Sequence, residues 1–289
     1  MKRIHVFNPA SGCGHSPELL EKGAAAGEEK YITTGVGDCE RFVYETCLSR
    51  PDTHFIIYGG DGTVNEAVNG ILKAGAGDKA YFSVVPAGTG NDFLRTFTDK
   101  NVIHTIDVIK YNGRYAVNIV NFGFDSNVVK STERFKKVFA GSPAYVAGVV
   151  ENVFKKMGEN WKITLTDENG NEDVFDETFT LALAANCRYY GGGFCSASLA
   201  DPADGLIDFL AVRKVSVITF AKFVSEYKKG THLDPETNAP VEKLKNYIYF
   251  RKVKKIVIEG IRNLCCDGEI EDTERVEMEI VPSAVRLIT

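Results

Sequence analysis

The chain has 289 residues, of which 44% are hydrophobic and 25% are charged. This composition is close to the average for folded soluble proteins and argues against a disordered chain. At about 150 residues per domain, the length predicts one large domain or two ordinary ones. The formal net charge is −5, so the chain lacks the strong basic field that would hold nucleic acid.

Cysteine usage and hydropathy predict a cytoplasmic protein. The seven cysteines are an odd number without Cys-x-x-Cys spacing, which is typical of reduced thiols rather than of a disulfide framework. The chain reaches the polar turn Asn8-Pro9 after one short apolar run, whereas a secretory signal needs roughly 7–15 apolar residues. No window approaches the ~20 apolar residues of a membrane span.

The first hundred residues alternate between short apolar runs and helical patterns. Strands are predicted over residues 4–7, 31–33, 55–58 and 81–85, and helices are predicted to begin at Ser16, Asp38, Thr63 and about Asn91. The helix at Thr63 is predicted from the capping-box spacing of Thr63 and Glu66. This alternation predicts an α/β domain with a largely parallel sheet, which we assign to residues 1–104.

The pattern changes after about residue 104. Asn112-Gly113 separates two apolar runs and indicates a type I′ hairpin. Helical stretches follow near residues 127–139, 143–156 and 215–228, and strands are predicted over residues 161–166, 179–185, 206–212, 253–259, 276–281 and 285–288. Residues 105–289 are therefore predicted to form a second, β-rich domain of mostly antiparallel strands. Active sites often lie in the cleft between two such domains.

The segment Tyr58-Gly-Gly-Asp-Gly-Thr-Val-Asn-Glu66 follows a buried strand and opens a helix. Backbone N–H groups and the helix dipole can face an anion there, and glycines let the chain approach a phosphate closely. A carboxylate in such a cradle repels the anion unless a metal intervenes, which makes Asp61 a candidate Mg²⁺-linked residue. The alternative is a plain turn followed by a helix cap.

Two further glycine-containing loops follow neighbouring predicted strands. Pro86-Ala-Gly-Thr-Gly-Asn-Asp-Phe93 ends one strand, and Asn8-Pro-Ala-Ser-Gly12 ends another. The carboxyl ends of parallel strands meet at one edge of a sheet, so the three loops are expected to lie together. Their position and composition predict a nucleotide pocket.

These three loops resemble the diacylglycerol kinase catalytic domain, in the form found in soluble bacterial lipid kinases. The resemblance extends through later segments, namely Tyr190-Gly-Gly-Gly-Phe194, Asp201-Pro-Ala-Asp-Gly-Leu206 and Cys266-Asp-Gly-Glu269. The Gly-Gly-Asp-Gly element alone is shared with NAD kinases and phosphofructokinases, so the later segments make the resemblance specific. The chain ends shortly after Ile288, and we expect no C-terminal segment that returns to the first domain.

The resemblance implies a two-domain enzyme that uses ATP and Mg²⁺ and transfers the γ-phosphate to a lipid hydroxyl, most commonly that of diacylglycerol. Glu269 matches the proton acceptor of the family, and Asp61, the rival for that role, would lie near the transferred phosphate and its Mg²⁺. The residues implied to bind ATP are Asn8, Pro9, Ala10, Ser11, Gly12, Thr33, Gly59, Gly60, Asp61, Gly62, Thr63, Asn65, Gly88, Thr89, Asn91 and Asp92.

A second metal site is predicted in the β-rich half. Asp201, Asp204 and Leu206 offer two carboxylates and a backbone carbonyl within six residues, and oxygen ligands of this kind suit Mg²⁺. The resemblance implies a structural Mg²⁺ at this position. A solvated turn is the alternative. Gly191–Gly193 have two interpretations as well, either a plain hairpin turn or a place where substrate approaches the backbone.

Several functions remain open at this point. The acceptor could be a sphingoid base, ceramide or phosphatidylglycerol instead of diacylglycerol, and the protein could be an NAD kinase or a catalytically silent lipid-binding protein. Segments 201–206 and 267–269 argue against an NAD kinase, and the presence of the family's acidic residues argues against a silent protein. We expect transient, peripheral contact with a membrane surface and no nucleic-acid partner. A homodimer is left open.

Overall fold

The computed structural model describes residues 1–11, 27–88, 90–124, 126–127, 130–131 and 158–289. The helices predicted at Ser16 and over residues 143–156 lie outside these ranges, as does most of the helix predicted over residues 127–139.

Four parallel strands form the sheet of the first half. In spatial order they are Glu29–Ile32 (β2), Arg3–Phe7 (β1), His54–Gly59 (β3) and Tyr81–Pro86 (β4). The pairs β1–β2, β1–β3 and β3–β4 are all parallel. Helices span Asp38–Ser49 (α1) and Asp61–Lys73 (α2). The predicted α/β domain with a largely parallel sheet is confirmed.

Helix α2 begins earlier than its capping-box pattern predicts, because its N-cap lies three residues before Thr63. Its N-cap is Gly60, and no side chain caps this end of the helix. Glu66 instead accepts hydrogen bonds from the backbone N–H groups of Gly37 (2.9 Å) and Cys39 (3.2 Å), at the start of α1. Glu66 therefore caps the neighbouring helix, because the packing of α1 on α2 brings those donors to its carboxylate.

The helix predicted from about Asn91 is reduced to one short 3₁₀ turn over Phe93–Thr96. Asn91 itself has φ 52°, in the left-handed region, which a regular right-handed helix excludes. The chain therefore makes a sharp turn at Asn91 where the sequence pattern predicts the start of a helix.

Within the described residues, the second half consists mainly of antiparallel strands, and a helix spans Val217–Lys229 (α3). The strands are Ile103–Tyr111 (β5), Arg114–Ala116 (β6), Ile119–Gly123 (β7), Glu159–Thr166 (β8), Glu172–Ala185 (β9), Ile207–Arg213 (β10), Leu233–Asp234 (β11), Ala239–Pro240 (β12), Ile248–Val253 (β13), Lys255–Glu259 (β14), Asn263–Cys266 (β15), Glu269–Asp272 (β16) and Arg275–Ile288 (β17).

Pairing within this half confirms the β-rich second part of the fold. Strands β7, β8 and β10 pair with β9, and β13 pairs with β10, all antiparallel. The hairpin predicted at Asn112-Gly113 joins β5 to β6, and the positive φ angles of Asn112 (43°) and Gly113 (78°) fit a type I′ turn. The strand predicted over residues 253–259 corresponds to β14, and β13, which ends at Val253, was not predicted.

The last strand returns to the first half of the chain. β17 pairs with β14 and β5 antiparallel, and Arg286 and Leu287 also pair parallel with Tyr81 and Phe82 of β4. The expectation that no C-terminal segment returns to the first domain is therefore wrong. The register of β17 against β5 shifts between Val281 and Val285, so the strands predicted as 276–281 and 285–288 are one irregular strand that serves both halves.

Three large clusters of buried side chains, and a small one of Phe7 and Tyr58, stabilise the described part of the architecture. One lies between α1, α2 and the parallel sheet, and it includes Val64, Val68 and Ile71 of α2, whose spacing forms one face of a helix. A second lies in the β-rich half around Trp161, and a third lies beneath α3. None of the helices in the described ranges is long and apolar enough to cross a membrane.

Candidate active site

The three polar loops predicted from the sequence leave the same edge of the parallel sheet. Phe7 pairs with Tyr58, and Gly59 pairs with Pro86, so strands β1, β3 and β4 end side by side. The backbone continues this pairing one step further, because Asn8 N–H donates to Tyr58 C=O (3.0 Å) and Ala87 N–H donates to Gly59 C=O (3.1 Å). The predicted juxtaposition of the loops is confirmed.

Glycines at this edge allow two loops to approach each other without side chains between them. A Cβ built on Gly88 would lie 2.6 Å from the Cα of Gly60, and one on Gly59 would lie 2.5 Å from the Cβ of Thr63. Asn91 closes the loop after β4. Its Oδ1 accepts from Gly88 N–H (3.1 Å), and its Nδ2 donates to Gly88 C=O (2.7 Å). The start of α2, which no side chain caps, lies at the same edge, and the N–H groups of the first turn of a helix suit an anion.

Asn8 connects the loop after β1 to the segment after β3. Its Nδ2 donates to Thr63 Oγ1 (2.9 Å), and its Oδ1 accepts from Ala10 N–H (3.0 Å). Pro9 and Ala10 are exposed, and Ser11 is half-buried. Thr33 is buried at the end of β2, where its N–H donates to Phe7 C=O (2.8 Å).

The remaining members of the predicted ATP set are placed as follows. Gly62 begins the helical turn after Asp61, and a Cβ there would meet nothing within 4 Å. Gly12 and Thr89 lie outside the described residues. The structure therefore brings the described members of the set to one edge, and their role in ATP binding stays a prediction.

The carboxylate of Asp61 lies between the loops. Its Oδ1 accepts from Phe93 N–H and its Oδ2 from Asp92 N–H, both at 3.2 Å. Burial raises the pKa of Asp61 above its ordinary value, although these two N–H groups lower it in part. A desolvated carboxylate of this kind gains from a nearby cation, which agrees with the Mg²⁺-linked role predicted for it.

Asp92 connects the nucleotide loops to the second half of the chain. It is only 3% exposed, and its Oδ2 accepts from Gly192 N–H at 2.7 Å. Its Oδ1 lies 3.1 Å from Nε of Arg95. Gly192 and both neighbouring glycines have positive φ angles, so this segment presents backbone N–H groups where other residues would be strained.

Asp267 is a second connection between the halves, and sequence reasoning gave it no role of its own. Its carboxylate accepts from the backbone N–H groups of Val117 and Ile119, both at 2.9 Å, and from Asn65 Nδ2 at 2.6 Å. Burial raises the pKa of Asp267 to about 6, although these hydrogen bonds oppose the shift. The turn at Asp267 is thereby fixed against α2.

Glu269 begins strand β16 directly after this turn. It is half-buried, and its Oε2 lies 3.1 Å from Nη2 of Arg114 in β6. Burial raises the pKa of Glu66, the N–H of Gly37 lowers it, and the negative charge of Glu269 raises it. No sequence motif pointed to Arg114. Its only local signal is its position after the Asn112-Gly113 turn.

At the predicted second metal site, the carboxylates of Asp201 and Asp204 contact other groups of the protein. Asp204 Oδ2 lies 2.6 Å from Nζ of Lys252, and Asp204 Oδ1 accepts from Leu206 N–H (2.9 Å). Asp201 Oδ1 accepts from Ala203 N–H (3.0 Å). In the ranges that the structure describes, no three His, Cys, Asp or Glu side chains converge as a group that could hold a metal ion.

The fold joins a glycine-rich loop edge on a parallel sheet to an antiparallel β-rich half, and the contacts of Asn65 with Asp267 and of Asp92 with Gly192 connect the two. Two protein-family models match the chain: the diacylglycerol kinase catalytic domain over residues 3–121, and the YegS C-terminal NAD kinase beta sandwich-like domain over residues 118–289. The chain therefore belongs to the diacylglycerol kinase catalytic-domain family of lipid kinases, with a YegS-type C-terminal domain.

Individual relatives agree with this assignment. Proteins of Staphylococcus aureus strains JH9 and Newman, each named "Putative lipid kinase", are 24% identical to the chain over 264 residues, which covers 87% of this chain and 81% of theirs. Two solved structures described as "putative diacylglycerol kinase" from Bacillus anthracis strain Sterne share the fold, with TM-scores of 0.75 and 0.73. Each is 22% identical, and the match covers 99% of this chain and 96% of the solved one.

Proposed function

We propose that this protein transfers the γ-phosphate of ATP to a lipid hydroxyl, with diacylglycerol as the acceptor and phosphatidic acid as the product. Membership of a lipid kinase family supports kinase activity. The observation that carries the proposal is the contact between α2 and the turn before Glu269, made by Asn65 and Asp267 (2.6 Å). This contact brings a carboxylate from the second half to the helix that begins at the phosphate cradle.

ATP binding is assigned to residues 1–104 and lipid binding to residues 105–289. The close approach of Gly60 and Gly88 leaves room for phosphate oxygens against bare backbone, and the uncapped first turn of α2 supplies N–H donors. Asn8 and Thr63, joined by their side chains, support the same cradle from the neighbouring loop. The residues present therefore fit a bound nucleoside triphosphate.

Asp61 and Asp92 would hold Mg²⁺ together with the phosphates. The donor set fits, because hard divalent cations prefer carboxylate oxygens and Asp61 is desolvated. When bound, Mg²⁺ would neutralise charge that develops on the transferred phosphoryl group. Asp92 keeps its place through the N–H of Gly192, so the second half of the chain contributes to the geometry of this end of the site.

Glu269 accepts the proton of the lipid hydroxyl in this proposal. Phosphoryl transfer depends mainly on positioning and charge neutralisation, and a positioned base contributes typically 10²–10⁴-fold. The guanidinium of Arg114, 3.1 Å from Glu269 Oε2, orients the carboxylate and leaves its other oxygen for the acceptor. Asp61 is less suited to this role, because both of its oxygens accept backbone N–H groups.

The acceptor lies in a bilayer, so we propose transient contact with a membrane surface in the cytoplasm. The formal charge of −5 favours weak, reversible binding over electrostatic anchoring. The homodimer left open above stays open.

The test is a substrate panel read by mass spectrometry. The full chain is incubated with ATP and Mg²⁺ and with micelles that contain diacylglycerol, a sphingoid base, ceramide or phosphatidylglycerol, and separately with NAD. We expect phosphorylated diacylglycerol as the main product. Phosphorylation of NAD alone would contradict the lipid kinase proposal, and lipid binding without any phosphorylated product would indicate a silent binding protein.

A further inference from the structure

Lys252 lies at the centre of the segment predicted to hold a structural Mg²⁺. Its Nζ is 2.6 Å from Asp204 Oδ2, 3.1 Å from Asp208 Oδ2 and 3.0 Å from the backbone oxygen of Leu199. A lysine ammonium has three N–H donors, and the structure gives it three oxygen acceptors. Asp208 is 1% exposed and the Lys252 side chain 23%, so this ion pair is largely shielded from water.

Three further oxygen atoms of the segment accept hydrogen bonds within the protein. Asp201 Oδ1 accepts from Ala203 N–H and Asp204 Oδ1 accepts from Leu206 N–H. The carbonyl of Gly205 accepts from a second ammonium group, that of Lys254, at 2.6 Å. A divalent cation needs several oxygen ligands, and here two ammonium groups within hydrogen-bond distance of the segment's oxygens repel it. The residues present therefore do not fit a bound Mg²⁺.

The shape of the segment is also held by backbone contacts. Asp107 in β5 donates its N–H to the carbonyl of Pro202 and accepts from Gly205 N–H, both at 2.7 Å. Its other carboxylate oxygen accepts from Ser283 N–H in β17 at 2.7 Å. Groups from β5, β13 and β17 thus hold the segment from three sides without a metal.

We propose that the ammonium group of Lys252 takes the place of the structural Mg²⁺ that the family resemblance implies at Asp201, Asp204 and Leu206. The stability of the β-rich half then depends on this ammonium group and does not change with the concentration of Mg²⁺. This inference concerns the stability of the fold, and it stands whether or not the proposed kinase activity is correct.

The first test is thermal unfolding of the full chain without nucleotide, in EDTA and across a titration with millimolar Mg²⁺. We expect the melting temperature to stay constant, and elemental analysis of the dialysed protein to find no stoichiometric Mg²⁺. A saturable rise in melting temperature that Asp204→Asn abolishes would overturn the proposal. A rise that Asp204→Asn leaves intact would come from an ion bound elsewhere and would support the proposal for this segment.

The second test removes the ammonium group. Lys252→Met leaves Asp204 and Asp208 without their counter-charge and should lower the melting temperature by roughly 5 °C or more. Lys255→Met is the matched control, because Lys255 pairs at the surface with Glu277 and its loss should cost less than about 3 °C. Equal melting temperatures for Lys252→Met and the parent would overturn the proposal. If Lys252→Met does not fold, the Mg²⁺ titration of the parent still tests the proposal.

Discussion

Asn65 and Asp267 are 202 residues apart in the chain, yet the side-chain amide of Asn65 donates a hydrogen bond of 2.6 Å to the carboxylate of Asp267. Asn65 lies one helical turn after Asp61 in α2, and Asp267 lies two residues before Glu269. The contact therefore couples the proposed Mg²⁺-linked carboxylate to the proposed base. This polar pair contributes to the geometry between these two acidic groups.

The raised pKa of Asp267 predicts a specific pH dependence of stability. Its pKa is about 6 in the folded protein and about 4 in an unfolded chain, so the folded state holds the proton more tightly. The contribution of this group to the free energy of unfolding is complete below about pH 4 and is lost as the pH rises through about 6. Relative to that of Asp267→Asn, the free energy of unfolding of the parent should fall by up to about 3 kcal/mol as the pH rises through this interval. Urea unfolding of both proteins at a series of pH values measures the difference, and a difference that does not change with pH would contradict the assignment.

Replacement of Glu269 tests the proposed base directly. Glu269→Gln keeps the size and polarity of the side chain but removes its basic oxygen, so turnover should fall by roughly two to four orders of magnitude. Affinity for ATP should change little, because the cradle lies on the other half. Steady-state kinetics with lipid micelles and a nucleotide-binding titration provide both values.

Glu271→Gln is the matched control for this variant. Glu271 lies in the same strand and accepts from Asn112 at an exposed position, so its loss should leave turnover close to that of the parent. Near-normal turnover in Glu269→Gln would pass the role of base to Asp61.

Arg114 should act through Glu269. Arg114→Met removes the guanidinium that lies 3.1 Å from Glu269 Oε2, and a misplaced carboxylate should reduce kcat by about 10–100-fold with KM for ATP unchanged. In the double variant with Glu269→Gln, the two losses should not add, since both remove the same positioned base. Fully additive losses would show that Arg114 acts independently.

A side chain at Gly60 should abolish nucleotide binding. The Cβ of a residue at this position would lie 3.2 Å from the Cα of Gly88, so the branched side chain of Gly60→Val would push the two loops apart and distort the proposed phosphate cradle. Gly35→Ala is the control, because a Cβ at Gly35 meets nothing within 4 Å. Calorimetric titration with ATP, together with circular dichroism to verify folding, measures the effect. Unchanged ATP affinity in folded Gly60→Val would remove the pocket assignment.

Glu66 should contribute to stability as the cap of α1. Glu66→Ala leaves the N–H groups of Gly37 and Cys39 without their acceptor and should lower the free energy of unfolding by about 1–2 kcal/mol. Glu66→Gln keeps one acceptor oxygen and should cost less. Urea unfolding at neutral pH compares the two variants, and equal losses would argue against capping as the cause.

Local sequence patterns accounted for most of the first half of the fold. The short apolar runs at 4–7, 55–58 and 81–85 correspond to β1, β3 and β4, because a parallel strand that is buried on both faces is formed by a nearly continuous run of apolar residues. The positions of the loops followed from this, since parallel strands end at one edge. The same local reasoning was wrong at Thr63 and Asn91, where contacts from other segments determine where a helix begins.

Patterns within one sequence predicted less of the second half. Strands β13, β15 and β16 were not predicted separately, and β17 was read as two short strands. The return of Arg286 and Leu287 to β4 was missed because a strand's partner is set by the whole sheet, and nothing in the local run of residues specifies it.

The sequence by itself determined the class of fold, the three loops at one sheet edge and the identity of the acidic residues proposed for chemistry. The class of fold and the positions of the loops depend on residue type, periodicity and strand direction, which are local properties, whereas Glu269 and Asp92 were singled out through the resemblance to the diacylglycerol kinase family. Only the tertiary structure placed Asn65 against Asp267, Gly192 against Asp92 and Lys252 against Asp204. Each of these contacts joins residues about 50 to 200 positions apart, and a single sequence carries no local physical signal for such a pair, because it forms only when separate elements pack.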